Sequence, residues 1–168
     1  NNFSAEQITH SSSLHKLLSS RITFVYADTL RPEVLVGTDH GLNHIYLNND
    51  GSVKKITNYH GSGTNVLSSE FVWPIIRQGD SVIWVGTLGG GLNKIKLQRN
   101  GAYVISQIED KNSKALRDIE SMQMDDDGNL WLAGNVLAKY SPQKNEFVYY
   151  DVNDGLQGNS FKIGAAWK

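Results

Sequence analysis

Cysteine is absent from the 168 residues of this sequence. Disulfide bonds, thiolate catalysis and cysteine-type zinc sites are therefore excluded, although the compartment stays open because many exported proteins also lack cysteine. A surplus of charge is missing too, since 16 basic and 17 acidic residues leave a formal net charge of −1. The chain thus has no electrostatic footprint for nucleic acid or for an anionic membrane surface.

Long apolar segments are also lacking. The longest unbroken apolar run, Phe71–Ile76, is far too short to span a bilayer. The first residues are Asn1 and Asn2, and no basic-then-apolar signal region follows them, so we expect the sequence to be an internal piece of a longer protein. With 39% apolar and 20% charged residues, the composition is typical of an ordinary globular protein.

One stretch is rich in glycine: Ile83–Ile95 reads IWVGTLGGGLNKI. A nucleotide-binding loop would need G-x-G-x-x-G between a strand and a helix, or G-x-x-x-x-G-K followed by Ser or Thr, and neither spacing is present. The same phrase returns without the run of glycines at Val34–Ile45, VLVGTDHGLNHI. A repeated phrase of this kind predicts the turn of a hairpin rather than a phosphate-binding loop.

Two markers give the period of the repeat. Gly37 and Gly86 are 49 residues apart, and the phrases LSSRI and LSSEF, which begin at Leu18 and Leu67, are also 49 apart. A looser third copy, LWLAGNVLAKY, follows later in the chain. A period of about 40 to 50 residues that is rich in short strands is typical of a β-propeller.

The repeat predicts an all-β fold, a fragment of a β-propeller with about three four-stranded blades and partial blades at each end. A closed propeller takes about 4 to 8 blades, so the ring would be incomplete. Its terminal blades would expose apolar faces, from which we expect self-association. The predicted units are a remnant of a preceding blade at 1–20, blades at 21–69, 70–117 and 118–158, and the first strand of a following blade at 159–168.

Tryptophans occupy two kinds of position. Trp84 and Trp131 stand in the second strand of their blades at repeat-related positions, so we expect both to be buried between blades. Trp73 stands in a first strand, the strand that borders the central channel of a propeller, where its ring either packs or offers a platform for a ligand.

Candidate chemistry in the sequence is sparse. His40 and His44 are four residues apart on a hairpin rather than a helix, a spacing that does not form a zinc pair. Glu70, Asp118 and Glu120 are candidates for the paired carboxylates of glycoside hydrolysis, but the sequence does not show their separation. We predict no metal site, no cofactor and no catalytic residue.

The motifs VGTLGGGLNKI, DDDGNLWLAG and NDGLQGNSFKIGAA resemble the two-component regulator propeller repeat. This resemblance implies a β-propeller segment in the periplasmic sensor of a hybrid two-component histidine kinase, anchored in the inner membrane through its parent chain. It also implies a carbohydrate-derived ligand, such as an oligosaccharide, and partners in the remaining blades and domains of that sensor. The kinase would lie elsewhere in the parent, so the segment itself is expected not to be an enzyme.

Ligand contacts are expected where loops meet the channel mouth, because loops on a rigid scaffold are the usual place for recognition. In a propeller, the connections into the first strands and the turns between second and third strands share one face. Two alternatives to the sensor function remain open: the segment belongs to a carbohydrate-active hydrolase or lyase, or it is a purely protein-binding scaffold. Together with Trp73, the predicted ligand-binding residues are Arg21, His40, Glu70, Arg117, Asp118, Asn135 and Asn159.

Overall fold

The computed structural model describes residues 16–61, 63–110, 115–158 and 160–162. These residues form twelve strands in three four-stranded antiparallel sheets. The predicted all-β, propeller-type fold class is therefore confirmed. Two short 3-10 turns, Ala115–Arg117 and Val152–Asp154, complete the described structure, and neither has the length or the apolar character that a membrane-crossing helix needs.

Each sheet is a simple up-and-down meander, in which every strand pairs with the next one along the chain. The first sheet contains β1 (Ile22–Ala27), β2 (Glu33–Thr38), β3 (Gly41–Leu47) and β4 (Val53–Tyr59). The second contains β5 (Val72–Gln78), β6 (Val82–Thr87), β7 (Gly91–Leu97) and β8 (Tyr103–Ile108). The third contains β9 (Ile119–Met124), β10 (Leu130–Gly134), β11 (Leu137–Ser141) and β12 (Glu146–Tyr150).

The glycine-rich stretch is the turn between β6 and β7, as the repeated phrase predicts. Gly91 opens β7 opposite Thr87, and its φ of +74° lies in the left-handed region that favours glycine. A Cβ on Gly91 would come within 2.8 Å of the Leu116 carbonyl oxygen, so the position also lacks room for a side chain. The glycines of this stretch thus form a hairpin.

The three sheets stack face to face. One apolar cluster joins the first and second sheets and includes Leu35 and Ile75. A second cluster joins the second and third sheets around Trp84, which is fully buried and meets Tyr140 edge to face at 5.9 Å between ring centroids. Leu35 and Trp84 occupy equivalent positions 49 residues apart, so in the first two sheets this position of the second strand faces the sheet that follows.

The first strands β1, β5 and β9 lie side by side at one edge of the stack. The Thr23 hydroxyl donates to the Val72 carbonyl at 2.6 Å, which joins β1 to β5. The Trp73 indole N–H donates to the Glu120 carbonyl at 3.0 Å, which joins β5 to β9. Pro74 sits on β5, an edge strand where a missing backbone N–H breaks no ladder.

The prediction for Trp131 is wrong, whereas that for Trp84 is confirmed. Trp131 is only partly buried: its ring stacks on Tyr150 at 5.3 Å, and Lys139 Nζ lies 5.5 Å from the ring centroid. The reason is positional, because Trp84 faces the third sheet and Trp131 faces outward from it. No fourth sheet covers this outer face within the described residues.

Parts of the predicted partial blades lie outside the described residues, namely residues 1–15 and most of 159–168. Near the end of the chain, the Phe161 backbone N–H donates to the Gly134 carbonyl at 2.8 Å. Gly134 ends β10, so the chain after the third sheet runs back along the end of that sheet.

Candidate ligand-binding site

The end of the stack that carries the β2–β3 turn is called the turn-side face here. Register places Ile22 opposite Thr38, Val72 opposite Thr87 and Ile119 opposite Gly134, so all three first strands begin at this face. Among the predicted residues, Asn159 lies outside the described residues and Trp73 lies along β5. The predicted residues at or next to this face are Arg21, His40, Glu70, Arg117, Asp118 and Asn135.

The boundary between the first two sheets brings Arg21, His40 and Glu70 near one another around Asp39. Arg21 Nη1 lies 3.9 Å from Asp39 Oδ2, and the Arg21 guanidinium lies 5.6 Å from the centre of the Phe71 ring. His40 Nδ1 lies 2.9 Å from Asp39 Oδ1. The side chains of Arg21 and His40 are 70% and 61% exposed, so a solute can reach both.

The electrostatics of this boundary favour a charged histidine. The hydrogen bond to Asp39 raises the pKa of His40, and the negative charges of Asp39 and Glu70 act in the same direction. Conversely, hydrogen bonds from His40 and Ser19 lower the pKa of the Asp39 carboxyl. The boundary can therefore present two cationic donors, Arg21 and His40, beside a carboxylate, a combination that can bind hydroxyl or acidic groups.

Arg117 and Asp118 lie at the next boundary, between the second and third sheets. The Gly89 backbone N–H donates to Asp118 Oδ1 at 2.7 Å, so this carboxylate connects the β6–β7 turn to the approach to β9. Arg117 is exposed and lines a cavity of about 720 Å³ beside the glycine turn. Asn135 is exposed in the β10–β11 turn. The predicted residues are thus spread over successive boundaries instead of forming one cluster.

Trp73 belongs to a different surface, the inner wall formed by β1, β5 and β9. A cavity of about 730 Å³ opens on this wall. Phe24 and Trp73 meet there edge to face at 6.0 Å between centroids, and because the indole N–H is bound by Glu120, the ring surface is what remains for contacts. Residues along this cavity include Phe24, Tyr26, Trp73, Glu120, Gln123 and Asp125.

Sequence reasoning missed three residues of these surfaces: Asp39, Phe71 and Phe24. A signal for Phe24 was available, because it precedes Trp73 by 49 residues and therefore occupies the same place in the repeat. Asp39 precedes His40 directly, but nothing in the sequence shows that it joins that histidine to Arg21. Within the ranges that the structure describes, no group of three or more His, Cys, Asp or Glu side chains is placed to hold a metal ion.

No model of a protein family matches the chain, and no curated protein matches it. Solved structures do match. The extracellular domain of BT3049 from B. thetaiotaomicron, described as a hybrid two component system, gives a TM-score of 0.65 at 21% identity over 94% of this chain and 20% of that chain.

The extracellular domain of BT4673 from the same organism, also described as a hybrid two component system, gives a TM-score of 0.63 at 17% identity over 84% of this chain and 20% of that chain. A second structure of BT4673, described as a one component system, gives 0.61 at 17% identity over 83% and 19%. This chain therefore spans about a fifth of the length of these structures. At the level of fold, the resemblance predicted from the repeat is confirmed.

Proposed function

We propose that the chain is a ligand-sensing propeller segment in the periplasmic region of a hybrid two-component sensor, and that it responds to a carbohydrate-derived ligand. One observation carries this proposal: the three blades adopt the fold of extracellular domains described as parts of two component systems. The fold alone does not specify a function. The turn-side face and the inner wall supply the surfaces on which a ligand can act.

The ligand would bind at the turn-side face and extend to the inner wall. Arg21 and His40 offer exposed cationic donors, while Glu70 and Asp39 offer carboxylate acceptors. Trp73 offers an aromatic surface of the kind on which a sugar ring stacks. Arg117, Asp118 and Asn135 would extend the same face along the stack of blades, and Asn159, which lies outside the described residues, is proposed as a further contact. Signalling then requires that the ligand bind one arrangement of the parent's domains more tightly than another.

The proposed segment does no chemistry of its own, and the kinase lies elsewhere in the parent. The deciding experiment is calorimetry of the complete parent ectodomain with a panel of oligosaccharides, together with product analysis. A binding heat without product formation supports the sensor. Product formation establishes an enzyme, whereas neither heat nor product across the panel favours a protein-binding scaffold.

Variants locate the site within this chain. His40→Ala and Trp73→Ala should each weaken binding of the oligosaccharide detected in the panel, because each removes a proposed contact. Lys144→Ala is a matched control, since Lys144 is exposed between β11 and β12, at the opposite end of the third sheet. If all three variants bind the oligosaccharide with the affinity of the unsubstituted ectodomain, the ligand site is not on the turn-side face or the inner wall.

We also propose that the isolated chain self-associates through the outer face of the third sheet. This face presents the partly exposed Trp131 and the exposed Val148, whereas Trp84, the counterpart of Trp131 in the second sheet, is fully buried. Light scattering over a concentration series tests the proposal. A monomer at every concentration overturns it, and Trp131→Lys should reduce any assembly that is seen.

A further inference from the structure

A third cavity lies at the opposite end of the stack, between the first and second sheets. Its volume is about 480 Å³. β2 runs from Glu33 at this cavity to Thr38 at the turn-side face, so the two ends of one strand separate the cavity from the surface described above. The cavity is therefore a different place from the turn-side face, and the proposal that follows stands independently of the proposed function.

Two nearly buried charged side chains line this cavity. The side chains of Glu33 and Arg77 are 7% and 4% exposed, and Arg77 Nη2 lies 3.4 Å from Glu33 Oε1. Behind them, His44 is fully buried and its Nε2 lies 2.8 Å from Glu33 Oε2. Arg77 also donates to the Gly79 and Asp80 carbonyls at 3.2 and 2.9 Å.

One atom on each side chain is unused in the sense that it makes no hydrogen bond, although Glu33 Oε1 belongs to the ion pair with Arg77. Within the described part of the chain, neither Glu33 Oε1 nor Arg77 Nη1 has a hydrogen-bond partner, although both are shielded from water. Buried polar atoms of this kind are rare in folded proteins, and each calls for an explanation such as an ordered water or a ligand. A hydroxyl group fits both atoms at once, because it can donate to the carboxylate and accept from the guanidinium.

The repeat shows that stacking the sheets does not require this polar cluster. Register makes Val82 the counterpart of Glu33, since both lie four residues before the glycine of the repeated phrase, Gly37 or Gly86. Arg77 pairs with Ile83, and Met124 pairs with Leu130 at the equivalent place in the third sheet. Val82 and Met124 accordingly pack against the apolar cluster between the second and third sheets.

The same scaffold thus closes one boundary with an apolar pair and the other with a buried ionic cluster. Replacing a buried ionic cluster with well-packed apolar residues is often neutral or stabilising. The ionic cluster is therefore poorly explained by stability, and the two side chains that carry its unused atoms line the cavity.

The rim of the cavity carries a surplus of positive charge. Lys54, Lys55 and Arg99 line it, and no carboxylate lies within 4 Å of any of their charged nitrogens in the residues described. Lys55 Nζ instead lies 5.7 Å from the centre of the Tyr46 ring, also on the cavity wall. The acids that line the cavity already have cationic partners: Glu33 has Arg77, and Asp80 has Arg31.

We propose that this cavity is a binding site for a small hydroxylated anion. Its negative group would lie among Lys54, Lys55 and Arg99 at the rim. A hydroxyl would reach Glu33 Oε1 and Arg77 Nη1 as these two side chains turn toward the cavity that they line. The ligand would bridge β4 of the first sheet and β5 of the second, and so hold these two blades together.

The proposal is tested by titrating the chain with three probes under calorimetry or NMR at low ionic strength. D-gluconate carries both hydroxyls and a carboxylate, D-glucose has the hydroxyls alone, and acetate has the charge alone. Gluconate should bind about tenfold or more tightly than either control, because each control lacks one of the two interactions. Equal affinities, or no binding of gluconate, would overturn the proposal and leave an ordered water as the partner of the unused atoms.

A double variant copied from the neighbouring boundary separates binding from folding. Glu33→Val with Arg77→Met recreates the Val82 and Met124 pair but leaves the buried His44 Nε2 without its Glu33 partner, so the chain should keep its circular dichroism and melt at a somewhat lower temperature. Gluconate binding should be lost. An unchanged affinity in a folded double variant would contradict the assignment.

The rim is tested by Arg99→Ala, which should lower the affinity for gluconate severalfold and reduce the salt dependence of binding. Lys96→Ala is the matched control, because Lys96 is an exposed cation on β7 that does not line the cavity. If Arg99→Ala and Lys96→Ala lower the affinity for gluconate equally, surface charge in general accounts for the effect, and the rim has no specific role in the site.

Discussion

Asn93 binds Ser68 with both ends of its side-chain amide: the Ser68 backbone N–H donates to Asn93 Oδ1 at 2.9 Å, and Asn93 Nδ2 donates to Ser68 Oγ at 2.7 Å. The first sheet has a related contact, in which the Leu18 N–H donates to Asn43 Oδ1 at 2.8 Å, while Asn43 Nδ2 donates to the Val36 carbonyl at 3.0 Å. The two repeated phrases of the sequence therefore meet in space. The asparagine of Gly-Leu-Asn holds the segment that leads into its own blade.

Asn93→Ala should destabilise the chain by about 2 kcal/mol, because it leaves the partly buried Ser68 backbone N–H without a partner and removes a bond to Ser68 Oγ. Asn93 is fully buried, which makes compensation by water inefficient. Asn135→Ala is the control, since this asparagine is exposed in a turn and should change the free energy of unfolding by less than about 0.5 kcal/mol. Urea denaturation of both variants measures the difference, and equal midpoints would show that the Asn93–Ser68 hydrogen bonds contribute nothing to stability.

Trp84 and Trp131 provide a second matched pair. Trp84→Ala should cost about 4 kcal/mol, because it opens a cavity in the cluster between the second and third sheets. Trp131→Ala should cost about 1 kcal/mol, since its ring is partly exposed and mainly loses its stacking on Tyr150. The free energy of unfolding from denaturant titration distinguishes them. Equal losses would mean that the third sheet's outer face is covered in solution.

The contrast between these two tryptophans shows what the sequence can predict. Strands and their order follow from repeated phrases, so all twelve strands of the three predicted four-stranded blades appear. Burial follows from what lies opposite a sheet face, and that depends on the neighbouring blade. An identical residue in an equivalent position is therefore buried in one sheet and partly exposed in the next.

The candidate sites show the same division. Positions at the turn-side face can be predicted, because propeller topology fixes which loops share an end. Contacts across a boundary cannot, as Glu33 and Arg77 illustrate: they are 44 residues apart and belong to different sheets, and no motif connects them. Their apolar counterparts, Val82 and Met124, show that the repeat does not constrain these positions.

Gly86 should not tolerate a side chain. A Cβ there would lie 2.7 Å from the Trp73 carbonyl oxygen, 2.6 Å from Pro74 Cδ and 2.9 Å from Ile119 Cγ2, so β5 and β9 would have to move apart from β6. Gly86→Ala should therefore destabilise the chain by about 2 kcal/mol. Gly158→Ala is the control, because its Cβ would meet nothing within 4 Å. A thermal melt of each variant measures the cost, and a Gly86→Ala chain as stable as the control would mean that the first strands pack less closely than described.

The buried Glu33 carboxylate should make stability depend on pH in the acid range. Burial raises its pKa, but the hydrogen bond from His44 and the positive charges of His44 and Arg77 outweigh burial, so the pKa of Glu33 falls below its usual value of 4.5. A carboxyl with a depressed folded-state pKa contributes stability that is fully present above the unfolded value. This contribution is lost as the pH falls from about 4.5 through the lower folded pKa.

Glu33→Gln removes this titration while keeping the shape of the side chain. Below pH 4.5, the free energy of unfolding should fall more steeply for the unsubstituted chain than for the variant. Near neutral pH, the two curves of unfolding free energy against pH should run parallel, with the variant lower. Exposed acids such as Asp50 titrate in both proteins and cancel in the comparison. Urea titrations at a series of pH values measure both curves. Curves that stay parallel through the acid range would mean that Glu33 titrates alike in the folded and unfolded chains, and that His44 and Arg77 do not hold its charge.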